Sequence, residues 1–412
     1  MQNIKDQSLS IIELKKVLLR LDLNVPLDNG KVIDDNRIHK IIDTIIFLLQ
    51  NNAKIVIISH VGRPKGMIDQ KLSLKPIAER LDYILKNSPD SELLYGSGQN
   101  IRLVNDDLKE VTKENLFINK NEKIVMLENI RFYEGEEKND SNFAKKLSSL
   151  GDIYVNDAFS CSHRSHASIE KITNFLPSFS GFQFNEEINA LKRLTSEIKK
   201  PITCIIGGSK ISTKINIIKN LIPKFDNIII VGAMANNIIK FKDYSVGKSI
   251  VEENCETIVD DIFKTTKKHD CCLTFPEDVA VGKNKEDLPK IKKIDEIEDD
   301  DLILDIGPKT IKIIKEIIEN SKTVLWNGPA GYFENPDYRK GSFEIARKIM
   351  EKSKEKSFYS VAGGGDTIAV LNLSKTRKYL NFSSTAGGAF LEYLEGKELP
   401  GIKALDQYVR IK

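Results

Sequence analysis

Short β-branched runs alternate along this chain with longer amphipathic stretches. The strand-like runs are KVLLRLDL, AKIVIIS, KIVMLE, DIYVN, PITCIIG, NIIIVG, DLILDI, TVLWN and FYSVA, with one more ahead of STAGGA. Most lack period-two alternation, which fits strands buried on both faces of a parallel sheet. Between them lie helical patterns such as DNRIHKIIDTIIFLLQNN and SLKPIAERLDYILK. In the first, Ile38, Ile41, Ile42, Ile45, Ile46 and Leu49 share one helical face. This alternation predicts an α/β fold with doubly wound parallel sheets. A length of 412 residues predicts about two domains. The chain shows no tandem repeat and no low-complexity tract.

The unusual residues fall just after the strands, where open parallel sheets bind their ligands. In the first half they are cationic and polar. LRLDLNVP ends a strand with Arg20, Asp22 and Asn24, and Arg37 opens the next helix. IISHVGRPKG brings His60 and Arg63, LENIRFYEGEE brings Arg131, and VNDAFSCSHRSHAS brings His163, Arg164 and His166. Strand ends of one sheet converge, so these segments predict a single basic pocket. Arginine suits planar, bidentate capture of phosphate or carboxylate better than lysine. In the second half the motifs are glycine-rich: CIIGGSKISTK, IIIVGAMANN, DIGPKT, WNGPAGYFE, GGGDT and SSTAGGAFLE. Glycines let backbone amides approach a polyphosphate and a flat base. Lys210 and Lys214, four apart, are expected on one face of the helix after Gly207 and Gly208. The two halves together outline a small-molecule kinase, with a pocket for a small anion and a nucleotide site.

Composition narrows the reading. Lysine outnumbers arginine fifty to twelve, so an arginine in a patterned place stands where lysine would not serve. The net charge of +3 argues against a dedicated nucleic-acid or membrane-surface protein. Five scattered cysteines with no CxxC pair predict a reduced compartment. The N-terminal MQNIKDQSLSIIELKK has no apolar signal core, and no apolar run approaches a membrane span. A soluble cytoplasmic protein is expected.

Several motifs invite other readings. No Lys-Ser/Thr pair completes GGGDT as a Walker loop, and SVGKS has Lys242 where that loop needs glycine. No GxGxxG follows the first strand, which disfavours a Rossmann dehydrogenase. His163 and His166 lack the further ligands of a zinc set. Trp326 reads as core or interface, KKHD as a solvated helix end, and EIEDDD as a loop. Basic loops without interleaved aromatics argue against single-strand nucleic-acid binding.

With these residues in view, the chain resembles phosphoglycerate kinase over essentially its full length. RLDLNVPLDNG, SHVGRPKG, SLKPIAERL, LENIRFYEGEEKND, HRSHAS, GGSKISTK, VGAMA, VGKSI, DIGPKT, WNGPAGYFE, GGGDT and STAGGAFLEYLEGKELPGI match the family pattern in order. The resemblance implies reversible phosphoryl transfer between 1,3-bisphosphoglycerate and MgADP, giving 3-phosphoglycerate and MgATP. It implies that Asp22, Asn24, Arg37, His60, Arg63, Arg131, His163 and Arg164 line the phosphoglycerate pocket. Arg37, Lys214 and Gly387 would serve the transferring phosphoryl. Lys210 and Asn327 would lie near the nucleotide phosphates, and Glu334 would hold the ribose. Gly207, Gly208, Gly232 and Gly307 would border the adenine pocket. Asp366 would be the magnesium carboxylate, with Gly363, Gly364, Gly365 and Thr367 beside the phosphates. The resemblance further implies two Rossmann-like domains, 1–180 with a returning tail 401–412, and 181–400 including a hinge helix near 184–198. Hinge bending would close the site, and a monomer is expected.

The chain departs from the family pattern at a few places. Val231 and Ala233 stand where glycines are usual, Ala386 replaces the first glycine of its motif, and Phe382 and Tyr133 stand where histidine is common. Ser160 replaces a usual glycine. None of these removes a charged residue assigned above, so an active enzyme is expected. A catalytically silent relative would be expected to lack Arg37, Lys214 or Asp366; all three are present. A kinase for a different acceptor is disfavoured by the HRSH and LDLN segments.

Overall fold

The computed structural model describes residues 1–88, 95 and 99–410. The chain divides into two compact units, one of Met1–Ile188 with the segment from Glu398 onward, the other of Asn189–Lys397. The division falls inside the helix Phe182–Thr195. Of the tail expected at 401–412, residues 411 and 412 lie outside the described residues; the helix Pro400–Arg410 belongs to the first unit.

The first unit is built on a six-stranded sheet in the order Arg102–Val104, Ile124–Leu127, Lys54–Ile58, Lys16–Leu21, Ile153–Asp157, Ser178–Ser180, and every pair is parallel. The sequence shows why these strands lack alternation. Along Lys16–Leu21, Val17, Leu19 and Leu21 enter one hydrophobic cluster while Leu18 enters another on the opposite face. Both faces are buried, so Val17, Leu18, Leu19 and Leu21 are all apolar and Arg20 is the one charged residue buried among them. The long amphipathic pattern after Asp34 forms two helices, Asn36–Lys40 and Ile42–Gln50, broken at Ile41. Ile38, Ile45, Leu48 and Leu49 are buried against the sheet.

The second unit repeats the theme. Its six-stranded sheet runs Cys272–Thr274, Asn227–Ile230, Ile202–Ile206, Thr323–Asn327, Tyr359–Ala362, Phe382–Ser383, again all parallel. Trp326 is fully buried in the core on one face, and its Nε1–H donates to Gly328 O at 2.8 Å. DLILDI departs from the expected parallel sheet. Leu302–Ile306 pairs antiparallel with Asp278–Gly282 in a separate three-stranded sheet completed by Lys290–Lys293. Ile303 packs on one side with Val279 and Val281, while Leu304 packs on the other with Ala280 and Tyr338. An apolar run is thus buried on both faces without being part of a parallel sheet, which apolarity alone does not distinguish.

In both large sheets the winding reverses at the centre. The reversal lies beside Lys16–Leu21 in the first unit, and between Ile202–Ile206 and Thr323–Asn327 in the second. At such a switch point the connections leave in opposite directions and open a crevice at the carboxyl ends of the strands.

Candidate functional site

In the first unit, residues from four strand ends meet at the switch point. Asp22, just past Leu21, accepts from Arg37 Nη1 and from the Ser160 hydroxyl through the same oxygen, Oδ2. Its Oδ1 accepts from Asn24 N–H at 3.2 Å, and Asn24 Oδ1 in turn accepts from Gly62 N–H at 3.0 Å. Arg131 donates from Nη1 to Gly62 O at 2.9 Å, and its Nε lies 3.6 Å from Glu137. Burial pulls the Arg131 guanidinium below its ordinary value. His60 is buried and held well below the usual imidazole value by burial first and by Arg20 and Arg131 next. His163 is half-buried, and Arg63 and Arg164 are exposed. The structure therefore joins Asp22, Asn24, Arg37, His60 and Arg131 through direct contacts or shared partners. Arg63, His163 and Arg164 lie in the adjoining strand-end loops.

Behind this layer lie Arg20 and His166, which the sequence placed in the basic segments without a role, and Glu136 and Ser168, which sequence reasoning did not assign. Arg20 is fully buried, as are Glu136 and Ser168. Ser168 donates to both carboxylate oxygens of Glu136, from its hydroxyl at 2.7 Å and its N–H at 2.9 Å. His166 is buried, and desolvation together with neighbouring cations lowers it to about 3. An arginine inside an otherwise apolar strand was the available signal for Arg20. Ser160 had been visible only as a departure from a glycine. Asp22, His60 and Cys161 offer ligand atoms within 4.8 Å of one another, but Arg37 and Arg20 already serve Asp22 and His60. A cation there would face two guanidinium groups.

In the second unit three glycine-bearing loops are knitted together by backbone bonds. Gly207 N–H donates to Asn327 O at 3.0 Å, Gly232 N–H to Ala330 O at 3.1 Å, and Met234 N–H to Gly208 O at 2.9 Å. The approach is close: a Cβ at Gly207 would stand 2.3 Å from Pro329 O. Asn327 is buried at the end of its strand; it accepts from the Lys214 ammonium and donates to Gly363 O at 2.7 Å. Thr367 Oγ1 accepts from Gly328 N–H at 2.7 Å. The triple glycine is thereby tied to the neighbouring strand end. Gly364 has φ +95°, open to glycine but strained for other residues, and it precedes the helix Gly365–Leu373 with Asp366 exposed in its first turn.

Lys214 is half-buried, and burial pulls its ammonium down against the opposing pull of Cys204, Asp366 and Glu395. The helix after these glycines begins at Ile215, so Lys210 and Lys214 do not share a helical face as expected. Lys210 sits exposed in the preceding loop.

Beside these loops opens a cavity of about 430 Å³. Gly208, Gly232, Glu334 and Asp366 line it, as do Ala233 and the apolar residues Val279, Leu302, Leu304 and Phe333. Most of the apolar wall comes from the antiparallel sheet, which sequence reasoning did not connect with the site. Gly307 stands one residue past the lining Ile306 and packs against the Asp278 carboxylate; a Cβ there would lie 2.3 Å from it. Asp278 itself caps the helix Pro308–Asn320, accepting from Lys309 N–H at 2.9 Å and Thr310 N–H at 2.7 Å. Gly387, with φ +55°, is exposed, with open space where its side chain would be.

A magnesium ion usually takes one or two protein carboxylates and completes its shell with water and substrate phosphates. The exposed Asp366 carboxylate beside the glycine loop fits that demand.

Comparison with known proteins agrees with this geometry. The sequence pattern of the family described as Phosphoglycerate kinase matches residues 7–397. The chain is 43% identical over 392 residues to the phosphoglycerate kinase of Wolbachia pipientis subsp. Culex pipiens, covering 95% of this chain and 96% of that protein. It is 42% identical over 393 residues to that of Dictyoglomus turgidum, covering 95% of each. Among solved structures, phosphoglycerate kinase from Coxiella burnetii superposes with a TM-score of 0.88 at 34% identity, over 100% of this chain and 99% of that one. The Pyrococcus horikoshii enzyme gives 0.77 at 28%, over the whole of both chains. The chain belongs to the phosphoglycerate kinase family.

Proposed function

We propose that the first-unit pocket binds the phosphoglycerate and the second-unit cavity binds the nucleotide, and that Arg37 and Lys214 stabilise the phosphoryl group in transfer. Membership in the family makes the chain a phosphotransferase with a carboxyl acceptor, acting in glycolysis. In the direction of ATP formation, an oxygen of the ADP β-phosphate attacks the acyl phosphorus. The bond to the acyl oxygen breaks and a carboxylate leaves. That leaving group is good and the reverse nucleophile is already ionised, so neither a protein nucleophile nor a general base is needed. Catalysis then rests on positioning and charge neutralisation.

The observation that carries this reading is the set Lys214, Asn327, Gly363 and Thr367, hydrogen-bonded into one rim at the switch point beside a cavity of nucleotide size. Its ammonium is held by an amide oxygen, so a phosphate oxygen can replace that partner without breaking an ion pair. Asp366 would hold magnesium, which when bound neutralises charge on the nucleotide phosphates. Glu334 would take the ribose hydroxyls, and the apolar wall the base. In the first unit Asp22 and Asn24 would take the substrate's hydroxyl, and Arg37, His60, Arg63, Arg131, His163 and Arg164 its anionic groups. Gly387 would let its backbone approach the phosphoryl oxygens.

No helix among the described residues is long and apolar enough to cross a membrane. We take the enzyme to act as a cytoplasmic monomer on small molecules alone. Calorimetric titration tests the division of labour. Arg131→Ala is expected to weaken 3-phosphoglycerate at least tenfold while MgADP affinity stays within about twofold, since a charged hydrogen bond contributes about 1.5–3 kcal/mol. Loss of MgADP affinity instead would reverse the assignment.

A further inference from the structure

We propose that Arg20, set behind the phosphoglycerate pocket, locks His60 as a neutral imidazole with its proton on Nε2, so that His60 serves the pocket as a hydrogen-bond donor and not as a cation. The inference deepens the substrate reading above and rests on it for the meaning of His60. A guanidinium carries only donors and stays protonated under all ordinary conditions. Arg20 Nη2 lies 3.0 Å from His60 Nδ1. That bond requires a lone pair on Nδ1, which leaves the ring proton on Nε2.

Arg20 is not free to turn away. It is fully buried, its Nη1 donates to Leu21 O at 2.5 Å, and its Nε donates to Ser168 Oγ at 3.0 Å. Ser168 spends its own hydroxyl proton on Glu136 Oε1 at 2.7 Å, so its lone pair is available to Arg20. Every donor and acceptor from Glu136 through Ser168 and Arg20 to His60 is thereby fixed in one direction. A carboxylate bonded to a histidine favours the imidazolium; a guanidinium in that place forbids it. The charged groups around His60 add to this. Arg20, Arg131 and Arg37 all disfavour a further positive charge there, and His166 is itself held neutral by burial. The nearby anions are engaged, Asp22 with Arg37 and Glu136 with Ser168. The pocket's positive charge then resides on arginines, and His60 adds none of its own.

Long-range ¹⁵N–¹H correlation on the full chain carrying ¹⁵N-histidine reads the tautomer directly. Five histidines are present, and His60→Asn assigns the His60 pair by its loss. The expected spectrum has Nδ1 in the unprotonated range and Nε2 in the protonated range, unchanged from about pH 6 to 8. A protonated Nδ1, alone or with Nε2, overturns the proposal. Adding 3-phosphoglycerate is expected to shift Nε2 without changing the tautomer. If the tautomer is as expected but 3-phosphoglycerate moves neither nitrogen, the substrate assignment fails and the role of Arg20 stands. Arg20→Lys retains a donor-only cation and should keep the tautomer. Arg20→Gln, whose amide can donate or accept, should release it, raising KM for 3-phosphoglycerate about tenfold with kcat within about threefold. A single Nε2–H tautomer and unchanged KM in Arg20→Gln would remove Arg20 as the positioning residue. If neither variant folds, the spectrum of the unaltered chain decides.

Discussion

Gly207 stands hard against neighbouring backbone in the glycine loops of the nucleotide site. A Cβ there would stand 2.3 Å from Pro329 O and 2.9 Å from Gly328 O, both backbone atoms. Gly365 offers the contrast, with nothing within 4 Å of the same position. Gly207→Ala is therefore expected to cost about 1–3 kcal/mol and to weaken MgADP, because the loops must part. Gly365→Ala should stay within about 0.5 kcal/mol in stability. Urea denaturation of both variants decides; equal stability would refute the close packing described for these loops. At this scale the sequence was most legible where a polar or charged residue stood just past a strand, as at Asp22, His60 and Asp366. It was least legible for residues whose role depends on burial. Arg20, Glu136 and Ser168 are ordinary polar letters until the fold removes water from around them.

Among the elements, the start of the helix Phe182–Thr195 is governed by a buried carboxylate. Asp157 accepts from Phe184 N–H at 2.8 Å and from the Thr44 hydroxyl at 2.6 Å. Burial nevertheless raises its carboxyl from 3.8 to about 6. The folded state thus holds this proton to higher pH than the unfolded chain does. Its contribution is fully present below the unfolded value and is lost as pH rises through the folded one. A gap of about two units corresponds to ~3 kcal/mol. Relative to Asp157→Asn, the unaltered chain should lose about that much stability between pH 4 and 7, measured by denaturant unfolding at each pH. A difference independent of pH would show that the carboxyl titrates normally. Elements were legible wherever periodicity reported burial faithfully. DLILDI was recognisable as a strand, but its antiparallel partner Asp278–Gly282 is paired in turn with Lys290–Lys293, whose lysine-rich pattern carries little apolar signal. The break at Ile41 and the late start at Ile215 were hidden for the opposite reason: apolar spacing ran unbroken across them.

For the whole molecule, each unit carries its own parallel sheet and its own switch-point crevice. Ligands that bind the folded state stabilise the part they touch. Hydrogen exchange should therefore show strongest protection by 3-phosphoglycerate in the segments around Asp22, His60 and Arg131, and by MgADP in those around Gly207, Gly232 and Asp366. The reverse pattern would exchange the two assignments. The fold class was readable because alternating elements leave few topologies. The chemistry was readable because the two halves concentrate different residue types at their strand ends, arginine and histidine in one, glycine in the other.

Lys214 is assigned to the phosphoryl group in transfer and not merely to a bound ground state. Steady-state ATP formation from 1,3-bisphosphoglycerate and MgADP by Lys214→Ala tests it most directly. Loss of a group that stabilises only the transition state should lower kcat about 10²–10³-fold, with KM for both substrates within about threefold. An unchanged kcat, or a loss confined to KM, would contradict the assignment.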